Sequence, residues 1–425
     1  MRYFKWLVSA LLCAFFIMTL TVDRSAGVIF VFLLLFSLSS IVFIRYSEQT
    51  TFLNFVKKYW PLHLAMCGPL IAVFANQLGS GHFTLRNYDS PFRLAMFVLI
   101  FWVVSFLSIR NIKYLQWAFV VGAILSAIKI YILTKGGAQR YVTDFIPIII
   151  FGQMALLLGI FSILSISWNK TSNRYIIFLK ITALCSGLYV AYLSQSRGVW
   201  LTIPIFILLG IVVTKNVSSR YKFGVISVFF ALLVGVSYFG NIVKDRVAVA
   251  ETDISQYSVG SDVDTSLGIR LQLWRASWML FTEHPLIGVG VEGFSKELHN
   301  LAKRKVITPL SATFAHSHNE ILFTMSRFGV FGLLAILGLY FIPAYYFIRE
   351  IRDDDPEVRY TAAMGAALTI GFFTLGLVDV VFLWWEVYPF YSISIALLLT
   401  YIIKRKDIIF KQRSDLSSHH LSSAS

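Results

Sequence analysis

Charged residues are scarce in this chain: Asp, Glu, Lys and Arg make up 14% of 425 residues, where a soluble globular domain carries about one quarter. So few charges cannot clothe a water-facing surface, which excludes an ordinary soluble fold. Cysteine is nearly absent. Cys13, Cys67 and Cys185 all fall inside apolar runs, and an odd count without a C-x-x-C pair argues against both a disulfide framework and a thiolate metal site. The first apolar run, 6–22, has a basic lead, Met1-Arg2-Tyr3-Phe4-Lys5, but no small-residue cleavage site after it. It reads as a retained span rather than a signal peptide. Paired broken helices in two similar halves, common in transporters, are also missing.

What is abundant is apolar sequence, 57% of the residues. A helix needs about 20 apolar residues to cross about 30 Å of hydrocarbon, and such runs recur near 6–22, 26–44, 60–78, 92–109, 114–134, 145–168, 175–193, 198–214, 223–243, 320–348, 360–380 and 382–403. The expected fold is an all-α polytopic membrane protein of about 12 spans. Nine spans occupy 1–243, one large and partly helical loop occupies 244–319, three further spans occupy 320–403, and a tail follows at 404–425.

The net charge of +15 is distributed unevenly, as expected when cytoplasmic connections collect Lys and Arg. One set of connections holds most cations, from Arg2 and Lys5 through Lys57, Lys58, Arg110 and Lys113 to Arg349, Arg352, Lys404, Arg405 and Lys406. The short connections opposite hold only Arg24, Arg86, Arg93, Lys135, Arg140 and Arg197. This places both termini in the cytoplasm and the large loop outside, and makes nucleic acid an unneeded explanation of the basicity. Asn169-Lys170-Thr171 and Asn216-Val217-Ser218 then fall on the inner side, where a glycosylation pattern carries no weight. The tail is basic, then serine-rich, and reads as disordered.

Within the large loop, 253–266 is polar and acidic, whereas 267–281 turns amphipathic, with Arg270, Trp274 and Trp278 on one helical face. His284-Pro285 ends that helix, because proline disfavours helix in the residue before it. Gly288-Val289-Gly290-Val291-Glu292-Gly293 matches G-x-G-x-x-G, yet no strand precedes it, so the glycines read as a tight turn rather than a nucleotide site. Asp262-Val263-Asp264 resembles the D-x-D of metal-dependent transferases, although two carboxylates in an acidic segment are more often solvated.

Two features resist explanation by lipid. Arg197, in Ser194-Gln195-Ser196-Arg197-Gly198, stands between two apolar spans; it either snorkels to headgroups or grips phosphate oxygens bidentately. His316 and His318, in Phe314-Ala315-His316-Ser317-His318-Asn319-Glu320, precede an apolar span. Ser317 or Asn319 can cap the helix that begins there, and the positive end of its dipole favours a neutral imidazole, the form a general base needs. Two residues apart on a helix, the imidazoles would point to different sides, which disfavours a shared metal ion. Lys129, Lys180, Arg327 and Glu386 lie inside apolar runs and each requires a partner.

His318-Asn319, nine residues, then Gly329-Val330-Phe331-Gly332 resembles the H-[NSQ]-x9-G-x-x-G pattern of O-antigen ligases of the lipopolysaccharide pathway. That family shares a superfamily with O-antigen polymerases and protein O-oligosaccharyltransferases. Ser196-Arg197-Gly198 resembles a second family block, and Gly268-Ile269-Arg270 with Trp274 and His284-Pro285-Leu286-Ile287-Gly288-Val289-Gly290 a third. The resemblance implies a fold like the GT-C membrane glycosyltransferases. It implies transfer of O-antigen polysaccharide from undecaprenyl pyrophosphate to a sugar hydroxyl of lipid A-core, on the periplasmic face of the bacterial inner membrane, with inversion and without metal, ATP or other cofactor. His318 would be the base, with Arg197 and Arg270 on the donor pyrophosphate. Secondary candidates are His316, Asn319, Arg275, Lys303, Arg304, Lys305, Arg86 and Arg140. A polymerase or a protein ligase of the superfamily is the nearest alternative, and a transporter the remote one. Two lipid-borne substrates further suggest a cavity opening sideways to the outer leaflet.

Overall fold

The computed structural model describes residues 2–43, 51–136, 143, 145–169, 173–215, 218, 224, 227 and 263–422. The expected span 223–243, apart from two isolated positions, the acidic residues 253–262 including Asp262, and Arg140 lie outside the described residues. Among those described, the chain is helical and contains no strand. Among the described residues, eight helices are long and apolar enough to cross a membrane, with shorter apolar helices at Ser25–Ile41 and Arg197–Val213. The protein is an all-α polytopic membrane protein, as its composition requires.

In chain order the helices are α1 (Arg2–Met18), α2 (Ser25–Phe43), α3 (Phe52–Lys58), α4 (Trp60–Ser80), then a 3-10 turn at Leu85–Tyr88 leading into α5 (Asp89–Ala95) and α6 (Phe97–Ser105). They continue with α7 (Ile109–Thr134), α8 (Ile148–Leu164), α9 (Arg174–Leu193) and α10 (Arg197–Val213). After residue 263 come α11 (Ser266–Glu283), α12 (Val291–Lys303), α13 (Glu320–Ile348), α14 (Pro356–Gly376) and α15 (Val387–Ser422). Side-chain oxygens accept first-turn amides at several starts: Thr265 from Gly268 at 3.1 Å, Asn319 from Leu322 at 3.0 Å, Asp355 from Val358 at 3.0 Å. Each such cap contributes about 1 kcal/mol.

Small residues set the helix spacing, as expected where lipid supplies no hydrophobic drive between helices. A Cβ on Gly187 of α9 would stand 2.8 Å from the Ala155 carbonyl oxygen of α8, so the two backbones touch there. Polar groups inside the bundle find partners. Lys180 donates to Gln116 and to Ser165, both at 2.6 Å, and Lys129 lies 4.1 Å from the Phe145 ring centre and donates to the Thr21 carbonyl. Arg327 stacks on Phe323 and Phe328. Both Glu386 oxygens are buried without a hydrogen-bond partner among the described residues.

The sequence-based boundaries fail in two places. The end of the chain is not disordered from residue 404; α15 continues to Ser422, because Arg405 pairs with Asp355 at 2.7 Å and Lys406 with Glu350 at 2.5 Å. The break between the expected spans 360–380 and 382–403 is also wider than the single residue expected. Residues 377–386 are not helical, and this connection shapes the site described below.

α13 is interrupted in its middle. Gly329 has φ 61 and ψ −146, outside helical space, and the interrupted groups bond to residues 285–290 beyond α11. Val289 donates to the Ser326 carbonyl (3.1 Å), Gly290 to Arg327 (2.8 Å) and Val330 to Pro285 (2.8 Å). Asn76 of α4 closes the join from the other side, donating to Ile287 at 2.7 Å and toward Arg327 at 3.4 Å. Backbone meets backbone here: a Cβ on Gly288 would lie 2.3 Å from the Arg327 carbonyl carbon, and one on Gly329 2.3 Å from that of Leu286. Gly288 and Gly290 have φ of 68 and 81, a region glycine enters without steric cost. The glycines after Pro285 form a turn, as the sequence suggests, and that turn is one half of a helix-splitting lock.

Candidate active site

Asn319 does two jobs at the start of α13. Its Oδ1 caps the helix, and its Nδ2 donates to the Leu377 carbonyl at 3.1 Å, tying this start to the connection after α14. Glu320 adds a second tie, its Oε2 accepting the amides of Val381 and Phe382. Ser317 is fully buried and donates to the Asn319 carbonyl at 3.0 Å. Between these anchors His318 takes φ 52, a left-handed backbone that costs a bulky residue about 1–3 kcal/mol and persists only where surrounding contacts enforce it.

The turn faces both imidazoles toward one carboxylate. His318 Nδ1 is 3.3 Å from Asp379 Oδ1, and His316 Nδ1 is 3.9 Å from the same oxygen. The rings stand 4.4 Å apart at 72°, and the His318 amide donates to His316 Nδ1 at 3.3 Å. Asp379 also accepts the Val380 amide at 2.8 Å. Burial opposes its charge, yet the His318 contact, the Val380 amide and the two imidazoles together hold the carboxyl below the usual aspartate value. For His316, burial first and then neighbouring His318 and Arg270 push the imidazole below its ordinary value, against the pull of Asp379.

The expectation that the two histidines point apart is therefore overturned: it assumed a helix, and residues 314–319 are not helical. Ligand-type atoms of His316, His318 and Asp379 all lie within 4.8 Å of one another, so the spacing argument against a shared metal ion does not hold. The hydrogen bonding favours another use. His316 Nδ1 already accepts an amide, and a His318 Nδ1–H directed at Asp379 leaves Nε2 as the basic nitrogen, the orientation a carboxylate imposes on imidazole.

Arg270 is on α11, close enough to influence His316. Trp274 and Trp278 follow on that helix, which ends at Glu283 as the proline requires. Arg197 is the first residue of α10. The next residue, Gly198, packs so closely on Val378 and Leu375 that an added Cβ would stand 2.8 Å and 3.0 Å from them, which sets the start of α10, where Arg197 stands, against the end of α14 and the 377–386 connection. Thus α10, α11, the start of α13 and the 377–386 connection converge. The other candidates lie apart from this cluster. Arg275 is exposed on α11, Lys303, Arg304 and Lys305 are exposed at the end of α12 with Arg304 3.9 Å from Glu283, and Arg86 is on the 3-10 turn after α4. Asp264 accepts Thr308 Oγ1 at 2.5 Å, a structural contact within the loop.

Asp379 and Glu320 are the residues sequence reasoning missed. Both sit at the edges of apolar runs, where an acid reads as the end of a span. The available signal was their rarity: between 360 and 403 only Asp379 and Glu386 are acidic.

The O-antigen ligase family model matches residues 181–337, a segment holding Arg197, Arg270, His316 and His318 but not Asp379. An O-antigen ligase of Escherichia coli is 28% identical over 258 residues, 60% of this chain and 58% of its own length. An uncharacterized protein of Haemophilus influenzae is 22% identical over 302 residues, 70% of this chain and 73% of its own. The chain thus spans less than two thirds of the E. coli ligase. The segment that resembles the O-antigen ligase family carries the glycine lock and the histidine turn.

Proposed function

We propose that the protein transfers O-antigen polysaccharide from undecaprenyl pyrophosphate to a sugar hydroxyl of lipid A-core, on the periplasmic face of the inner membrane. The observation that carries this reading is the His318–Asp379 contact at 3.3 Å with Arg270 beside it. A sugar hydroxyl is a poor nucleophile. His318 Nε2 removes its proton as the oxygen attacks the anomeric carbon, a step in which a positioned base contributes about 10²–10⁴-fold. Asp379 holds the ring in the required tautomer and offsets the charge of the imidazolium that forms. As the new C–O bond forms, the bond from the anomeric carbon to the donor phosphate breaks, and its electron pair leaves with the pyrophosphate. Arg197 and Arg270 receive that charge; preformed donors aimed at developing charge are commonly the largest contribution to such catalysis. The displacement is direct, so the anomeric configuration inverts.

The test is a purified assay with lipid-pyrophosphate glycan and lipid A-core, with EDTA and without ATP, comparing wild type with His318→Ala and Arg270→Ala. Glycan is expected to reach lipid A-core in wild type and in neither folded variant. A product of retained configuration sinks the single-step scheme, and activity restored only by added metal makes the histidine–aspartate cluster a cation site instead. Growth of a glycan ladder on its own lipid identifies a polymerase.

A further inference from the structure

A cavity lies beside the connection that holds Asp379, with Phe382 and Leu383 of that connection in its lining. It encloses about 350 Å³, the lower end of the range for ligand sites, about 300–1,000 Å³. α4, α5, α13 and the start of α15 form its walls. Its apolar lining includes Ala72, Val73, Ile336 and Leu339, and its polar lining is Arg86, Asn87, Ser90, Thr324, Glu320, Arg327 and Tyr388.

Two guanidiniums thus share one small cavity in an apolar wall. Arg327 is the unusual one. It lies inside a membrane-crossing helix, where charged residues are rare and usually serve a function, and its Nε is buried without a hydrogen-bond partner. It makes no ion pair among the described residues; the nearest acid in the lining, Glu320, has its Oε2 committed to the Val381 and Phe382 amides. Stacking on Phe323 and Phe328 at 4.5 Å and 5.0 Å fixes where the guanidinium stands. The backbone lock fixes it further, since the Arg327 carbonyl accepts Gly290. A cation held this firmly beside a cavity, its Nε lacking an acceptor and Glu320 the one acid in the lining to influence it, is arranged for an anion that arrives from outside the fold. Guanidinium favours phosphate among such anions, and the apolar part of the wall suits a hydrocarbon chain.

We propose that this cavity is a second anion site, separate from the Arg197–Arg270 corner, in which Arg327 and Arg86 hold a phosphate group carried on an apolar chain. It rests on reading the protein as one that handles lipid-borne substrates, and it adds a subsite that the transfer scheme does not require. The phosphate belongs either to a phosphorylated glycolipid or to a bilayer phospholipid, and one experiment distinguishes them.

The full chain, delipidated in a zwitterionic detergent, is titrated with lipid A, with phosphatidylglycerol and with uncharged diacylglycerol, and bound lipid is read by native mass spectrometry. Wild type is expected to bind at least one of the two phosphate-bearing probes at least tenfold more tightly than diacylglycerol. Arg327→Gln should remove that preference and Arg86→Gln should weaken it at least threefold. Preference for lipid A assigns the site to a glycolipid, and preference for phosphatidylglycerol assigns it to the bilayer. Equal binding of diacylglycerol, or an undiminished preference in Arg327→Gln, overturns the proposal. Should Arg327→Gln not fold, Arg86→Gln decides alone, because that side chain is exposed on a 3-10 turn; unchanged binding there is equally fatal. His318→Ala should bind the probes as wild type does, so failure of the transfer scheme and failure of this site are separately visible.

Discussion

Replacing Asp379 with Asn tests the electrostatics of the proposed base directly. The carboxamide retains an acceptor for the Val380 amide, so the connection should keep its shape, but it carries no charge to face an imidazolium. The contact is 3.3 Å with both side chains about one fifth exposed, 21% and 18%. At an effective dielectric constant of about 20, unit charges about 4 Å apart interact by about 4 kcal/mol. Water reaches the pair, so the net worth is nearer the 1.5–3 kcal/mol of a hydrogen bond to a charged group. At 1.36 kcal/mol per tenfold, kcat should fall about 10- to 150-fold, measured as initial rate of glycan transfer at saturating acceptor. Because Asp379 acts through His318, the double variant His318→Ala/Asp379→Asn should be no slower than His318→Ala alone. A double variant that loses the two effects multiplicatively, or an Asp379→Asn enzyme at full rate, refutes the dyad.

Gly288→Ala should destabilise strongly, since a left-handed backbone costs an L-residue about 1–2 kcal/mol and the added Cβ would part the Val289 and Gly290 bonds, worth about 1 kcal/mol each. Loss of about 2–4 kcal/mol should lower the detergent melting temperature by several degrees, while Gly210→Ala, which meets nothing within 4 Å, should leave it unchanged or slightly higher; equal melting of the two variants contradicts the lock. His316 is held below its ordinary imidazole value by burial, His318 and Arg270. The unfolded chain therefore binds a proton more readily below about pH 6.5, and stability should decline from there as pH falls. Melting curves between pH 7 and pH 5 should be less steep in His316→Gln, and an unchanged slope removes the imidazole from the explanation. Asp379 has the opposite placement: its depressed value keeps its contribution intact in that window, to be lost only as pH falls below about 3.9.

The helices were legible because hydrocarbon thickness dictates run length, and each expected run except 223–243, largely outside the described residues, coincides with one or two helices. The helix 267–281, its stop at His284-Pro285 and the Asn319 cap were equally readable, since local chemistry decides them. What the sequence concealed depends on distant pairing. Nothing near His318 announces Asp379, 61 residues away, and the break at Gly329 cannot be read without the 285–290 segment that satisfies it. The helical assumption for His316 and His318 failed because His318 itself takes a left-handed backbone, rare outside glycine, just before the helix begins.

The join between residues 285–290 and the broken middle of α13 also bears on how large substrates arrive. A lid must be able to swing away, and swinging α11 and α12 outward would strip the Ser326 and Arg327 carbonyls and the Val330 amide of their partners. Net, each such bond is worth about 1 kcal/mol, and each group left buried without a partner costs about 1–3 kcal/mol. Opening of that kind is therefore disfavoured. The join thus holds the two helices as a roof, and under the proposed function a polymer on a lipid meets less resistance along the sides of the bundle.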